Sequence, residues 1–95
     1  MDLAAIKKKV GPICKSADIK MLGVFGSVAR GQDSSGSDID LLVKFRKPIG
    51  FIELFDIEQE LQAVLGRRVD LGTEASLHPL ISGAVRRELR ILYEG

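Results

Sequence analysis

Ile39-Asp40-Leu41-Leu42-Val43 is an apolar run that carries a carboxylate, and a second carboxylate, Asp38, stands two positions before the first. Alternate side chains of a strand project from one face, so Asp38 and Asp40 share a face, about 6.5 Å apart along the strand. Two unpaired carboxylates buried there would cost several kcal/mol, so a cation has to sit between them. Ten residues separate this pair from Gly26-Ser27, a small-residue turn that ends another apolar segment, Met21 to Phe25. The fold must therefore set two strand ends side by side, one carrying the turn and the other the carboxylates.

The remaining pattern supplies the elements around those strands. Leu3, Ile6, Val10, Ile13 and Cys14 recur at helical spacing over residues 2–15, with Asp2 placed to cap the start. Gly11-Pro12 predicts that this helix ends or kinks near residue 10. Residues 20–25 form a strand stopped by Gly26, and Ser27 caps a short helical turn through Arg30. Gly, Ser and Asp make 32–37 a loop, and 38–45 are the second strand. A helix over about 50–65 buries Leu54, Ile57, Leu61, Val64 and Leu65, leaves Glu53, Asp56 and Glu60 outside, and stops at Gly66. Phe51, Ile52 and Phe55 widen its apolar stripe and are open to two readings, core or partner contact. Residues 68–71 form a third strand. The last helix starts near Pro79 and buries Leu77, Leu80, Ile81, Ala84 and Val85, and Ile91-Leu92-Tyr93 close the sheet. The class is α/β (α+β), with a small mixed β-sheet, helices packed on one face and a single domain over 1–95. The other face is left for chemistry or a partner.

Composition narrows the function classes. Fourteen Lys+Arg against 13 Asp+Glu leave a formal net charge of +1, so no general attraction to nucleic acid is written into the chain. Lys7-Lys8-Lys9, Arg67-Arg68 and Arg86-Arg87 read as solvated faces and loop ends. Cys14 is the single cysteine, which excludes an intrachain disulfide and fits a buried thiol in a reducing cytoplasm. No apolar run approaches membrane-spanning length, and three lysines interrupt the early apolar residues where a signal peptide needs them continuous. His78, beside Pro79, reads as a capping or loop residue rather than a catalytic base.

Gly-Ser before a helical turn is, alone, an ordinary N-cap, and Asp-x-Asp alone is common in surface loops. Together they place backbone N–H groups suited to phosphate oxygens beside a metal-binding pair. Asp70 lies in Val69-Asp70-Leu71, whose apolar residues face the core while Asp70 faces away. If that strand pairs with the Asp38–Asp40 strand, three carboxylates converge, as two Mg²⁺ ions carrying a nucleoside triphosphate require. The plain alternative for Asp70 is a surface ion pair with Arg67 or Arg68.

Gly26-Ser27-Val28-Ala29-Arg30-Gly31, Ser37-Asp38-Ile39-Asp40-Leu41-Leu42-Val43 and Val69-Asp70-Leu71 resemble the minimal nucleotidyltransferases of the DNA polymerase β superfamily, over nearly the whole chain. The resemblance implies a polymerase β-like nucleotidyltransferase fold in which Asp38 and Asp40 bind both metals, while Asp70 binds one and helps activate the nucleophile. Gly26 and Ser27 would hold the triphosphate of ATP. Arg30 would contact phosphate or brace the loop, and Ser37 would position the carboxylate strand. Val28 departs from relatives that carry a basic residue there. The activity implied is transfer of AMP from ATP to an acceptor hydroxyl, releasing pyrophosphate. Proteins similar to this one are commonly antitoxins of HEPN-family RNase toxins, and the resemblance implies that they adenylylate a tyrosine of the toxin, as a homo-oligomer or in a hetero-oligomer with it. A non-catalytic antitoxin acting by stoichiometric contact, and a small-molecule nucleotidyltransferase completed by dimerisation, are the competing expectations. Neither a nucleic-acid nor a membrane partner is expected.

Overall fold

The computed structural model of the chain describes residues 2–34, 36–76 and 79–95, the side chains of 79–82 excepted. Helix α1 (Leu3–Ser16) leads to strand β1 (Ile19–Phe25), the short helix α2 (Gly26–Ala29) and strand β2 (Ile39–Phe45). Helix α3 (Phe51–Leu65), strand β3 (Val69–Thr73), a 3₁₀ turn (Glu74–Ser76), helix α4 (Pro79–Glu88) and strand β4 (Arg90–Glu94) complete the chain. The sheet order is β3-β2-β1-β4. β1 pairs antiparallel with β2 and β4, while β2 and β3 run parallel, joined through α3. This is the mixed sheet the element order predicted, and β3 lies beside β2 as the convergence of carboxylates required.

Asp2 caps α1 by accepting a hydrogen bond from the Ala4 N–H at 3.0 Å, a contact worth about 1 kcal/mol. Ile6, Val10 and Cys14, spaced four apart, bury one stripe of this helix against the sheet. The predicted break near residue 10 does not occur, and α1 runs through Pro12 to Ser16. Pro12 and Lys8 are both exposed, so water can satisfy the Lys8 carbonyl to which Pro12 offers no N–H. Burial of Cys14 beyond the proline offsets the remaining cost.

Ile57, Leu61 and Leu65 bury the inner stripe of α3, with Leu54 partly buried beside them, and Gly66 ends the helix at φ 68° as foreseen. Val64 was expected in that stripe but lies on the outer side, 39% exposed. Phe51, Ile52 and Phe55 are likewise not core: they are 90%, 80% and 59% exposed. They precede or flank the stripe rather than continue it, because the core stripe already has its three- and four-residue spacing filled. An open groove of about 560 Å³ lies next to them, lined by Phe45, Lys47, Pro48, Phe51, Leu54 and Thr73.

Ile39, Leu41, Val43, Val69 and Leu71 join the core with α1 and α3 on one face of the sheet. The expectation of helices on one face holds for these two long helices. The short α4 differs: Val85 and the following Leu89 pack with Met21 and Leu42 on the opposite face. Gly23 makes room for this, since a Cβ there would stand 2.6 Å from the Leu89 Cδ1 atom. Ala84, expected inside, is exposed. Leu77 and His78, and the side chains of Leu80 and Ile81, lie outside the described residues.

Burial pushes the Cys14 thiol up from the ordinary 9.0 to about 11. The unfolded chain therefore releases this proton first, so the stability contribution is complete below pH 9.0 and is lost as pH rises towards about 11. Urea unfolding followed over that range should show a steeper loss in the wild type than in Cys14→Ala, and native Cys14 should resist thiol reagents at pH 8. Equal slopes in the two proteins would contradict this assignment.

Candidate active site

Gly26 turns the chain at the end of β1 with φ +73°, a conformation that glycine adopts without strain. This immediate turn makes Gly26 itself the first residue of α2, with Phe25 at the N-cap position and no side-chain capping bond. Ser27 thus sits within the first turn and is not the cap that its sequence position suggested. Phe25 is the register partner of Asp40, which brings Gly26 against the Asp40 carboxylate. A Cβ at Gly26 would collide with Asp40 Oδ2 and would stand 3.3 Å from Asp40 Cγ. Both the backbone angle and the contact therefore demand glycine. Val28 is buried, so its side chain belongs to the core.

Asp40 is paired in parallel register with Asp70 on β3. Neighbouring strands lie about 4.8 Å apart, so the two carboxyl groups leave the same face as close neighbours. That face is the one turned away from α1 and α3, because Ile39 and Leu41 point into their core. Asp38 immediately precedes β2 and is exposed, as is Asp70, while Asp40 is half-buried. Burial raises the Asp40 pKa above the ordinary carboxylate value, and the charges of Asp70 and Asp38 raise it further; Arg30 acts in the opposite direction. Burial raises the Glu58 pKa on α3 as well, and the Asp70 charge adds to it.

Sequence reasoning thus placed Asp38, Asp40 and Asp70 in one neighbourhood, with the Gly26 turn beside them. Among the described residues no three His, Cys, Asp or Glu groups stand close enough together to enclose a metal ion as they are. Asp38 and Asp70 are both exposed, so their carboxylates are open to solvent. The donors are hard carboxylate oxygens on an open face, which fits Mg²⁺ with its retained waters and phosphate ligands. The groove lined by Phe45, Lys47 and Phe51 lies at the far end of β2, away from these groups.

Arg30 braces the structure. Its Nη1 donates to both carboxylate oxygens of Glu88 at 3.0 Å, and its Nε donates to Gln32 Oε1 at 3.1 Å. The ion pairing foreseen for it is present, tying α2 to the end of α4. With side chains 45% and 35% exposed, the pair contributes about 1 kcal/mol at most. Ser37 accepts a hydrogen bond from the Ser34 N–H through Oγ at 3.0 Å. The Ser37 carbonyl accepts from Arg67 Nε and Nη2 at 3.2 and 2.7 Å.

Arg67 had read as a solvated residue or a partner for Asp70. It pairs instead with Asp33, Nη1 to Oδ2, at 2.9 Å, and donates through Nη2 to the Ser34 carbonyl at 2.8 Å. Its guanidinium holds the Asp33 carboxyl below the ordinary carboxylate range. No local sequence signal marks this contact, because its two ends lie 34 residues apart.

Residues 6–92 match the family described as "Nucleotidyltransferase domain". A Methanocaldococcus jannaschii protein provisionally named a protein adenylyltransferase is 38% identical over 88 residues, covering 93% of this chain and 95% of its own length. The protein adenylyltransferase MntA of Thermococcus cleftensis is 39% identical over 71 residues, or 75% of this chain and 72% of its own. In fold, the chain is similar to a solved Shewanella oneidensis complex, described as a tri-AMPylated HEPN toxin with its MNT antitoxin. The TM-score is 0.74 at 19% identity, covering 99% of this chain and 74% of that one. The extent of the family match and the identity to these relatives, on a fold that sets three aspartates beside a glycine turn, make the chain a member of the nucleotidyltransferase domain family.

Proposed function

We propose that this chain is a protein adenylyltransferase that moves AMP from ATP to a tyrosine hydroxyl of a cognate HEPN-family RNase toxin, and so acts as the cytoplasmic antitoxin. The observation that carries the reading is the Asp40–Asp70 pair with the Gly26 backbone pressed against it. Two carboxylates held side by side, with a third close by, suit a reaction in which polyphosphate must be bound by an acidic surface through divalent cations. The names of the relatives support the transfer of AMP to protein, and the fold-level likeness to a toxin–antitoxin complex supports the partner.

Asp38, Asp40 and Asp70 would hold Mg²⁺, two ions in this reading. When bound, the metal supplies Lewis-acid neutralisation of charge on the phosphate oxygens. The tyrosine oxygen attacks the α-phosphorus, the bond to the bridging oxygen breaks, and pyrophosphate leaves. Asp70 is exposed at the sheet edge and is assigned to the proton released by the attacking hydroxyl. Gly26 lets the main chain approach the triphosphate with no Cβ in the way, and Ser27 adds a hydroxyl donor. Arg30, anchored by Glu88, brings positive charge to the same end of the sheet. The near-neutral balance of the chain favours a protein acceptor over a nucleic acid.

Incubation with ATP, Mg²⁺ and a candidate HEPN-family toxin from the same organism should add the mass of AMP to that protein, on tyrosine. Asp40→Asn should lower the rate by about 10³-fold or more, the equivalent of several kcal/mol of lost charge stabilisation. Full neutralisation of the toxin by Asp40→Asn would instead favour inhibition by contact alone.

Stability gives an independent check. Without divalent ions, Asp40→Asn removes a half-buried charge repelled by two others, and should raise Tm by about 4 °C or more, the shift that about 1 kcal/mol produces in a domain this small. Added Mn²⁺ should raise the wild-type Tm and leave that of the variant unchanged. Equal metal shifts in both proteins would count against the site.

A further inference from the structure

We propose that Arg67 is a positioning residue, a clamp that fixes the loop entering β2 and so sets where Asp38 stands. This inference rests on the metal-site reading and extends it to residues outside the nucleotidyltransferase motifs. Among the described residues the guanidinium donates to three residues of one loop: the Asp33 carboxylate, the Ser34 carbonyl, and the Ser37 carbonyl through both Nε and Nη2. The Arg67 and Asp33 side chains are only 14% and 8% exposed, so the pair is shielded from the water that weakens most surface ion pairs.

The location gives the clamp its consequence. Ser37 directly precedes Asp38, and the Ser37 carbonyl belongs to the peptide unit that carries the Asp38 N–H. Arg67 lies two residues before β3, and the next residue, Arg68, accepts the Ile39 N–H through its carbonyl at 2.9 Å. The entries of β2 and β3 are thus joined twice, once by main chain and once by this guanidinium. Asp38 lacks the strand pairing that fixes Asp40, since β2 begins only at Ile39. The loop contacts are therefore what orient its backbone. A planar guanidinium with five donors can serve three acceptors at once, whereas a lysine ammonium at the same position cannot reproduce the fork on Ser37 and Ser34.

Mn²⁺ binding by electron paramagnetic resonance tests the clamp on the full chain, with each variant held well below its own Tm. Arg67→Ala should weaken Mn²⁺ binding about 10-fold or more, in the range seen when residues supporting a metal ligand are removed, with Arg67→Lys recovering only part of it. In an Asp38→Ala background the Arg67→Ala change should add less than about 2-fold, because its effect passes through Asp38. Amide exchange supplies a readout that needs no metal: Arg67→Ala should speed exchange at the Ser37 N–H, which donates to Ser34 at 3.0 Å, at least about 10-fold while the Leu61 amide is unchanged. A wild type that ignores Mn²⁺ would sink the metal-site reading itself. Wild-type binding with an Arg67→Ala dissociation constant within about 2-fold, additive losses in the Asp38→Ala background, or unaltered exchange at Ser37 would each overturn the clamp alone.

Discussion

The parallel pairing of β2 with β3 sets two carboxylates side by side, and the rest of the site depends on it. Nothing about Asp40 and Asp70 favours their meeting; their charges oppose it. The pairs that flank them in the ladder, Ile39 with Val69 and Leu41 with Leu71, impose it from the other face of the sheet. Burying four such side chains contributes on the order of 1.5–3 kcal/mol each. A slip of one residue in either strand would turn that strand's apolar set to solvent and its carboxylate into the core. The hydrophobic face thus enforces a concentration of negative charge that the isolated groups would avoid, and the proposed divalent cations would neutralise that charge.

The surroundings of that pair are built to the same end. Gly26 gives up a side chain so that the main chain can press against Asp40, and Phe25, paired with Asp40 across β1, fixes how close the turn comes. Charged side chains then hold the irregular pieces: Arg30 reaches α4, and Arg67 gathers the loop that ends at Ser37. Regular structure positions Asp40 and Asp70, and side-chain hydrogen bonds position what the ladder does not reach. An open, acidic sheet face flanked by α4 suits an acceptor brought in by another protein better than a small molecule that needs enclosure.

Period-two patterning made Asp40 and Asp70 legible in the sequence, because a carboxylate flanked by apolar residues in a strand has only one face to occupy; Asp38, expected to open the second strand, stands just outside it, since β2 begins at Ile39. Gly66 was legible for a related reason, since a helix stop at positive φ favours glycine. What escaped was set by tertiary context. Pro12 reads as a helix breaker until one knows that Lys8 faces water. Phe51, Ile52, Phe55 and Val64 look like core until the inner stripe of α3 is seen to be complete without them. The packing of α4 on the second face required Gly23 to be recognised as space for Leu89, and Arg67 could not be matched to Asp33 across so long a separation.

The central claim is that the sheet face bearing Asp38, Asp40 and Asp70 is where divalent cation and ATP meet this protein. A crystal structure grown with Mn²⁺ and a non-hydrolysable ATP analogue tests it most directly. The account predicts anomalous density bridging those three carboxylates, with the analogue's triphosphate lying along the Gly26-Ser27 backbone. Manganese and nucleotide bound elsewhere, in the groove beside Phe51 for example, with the carboxylates empty, would contradict it.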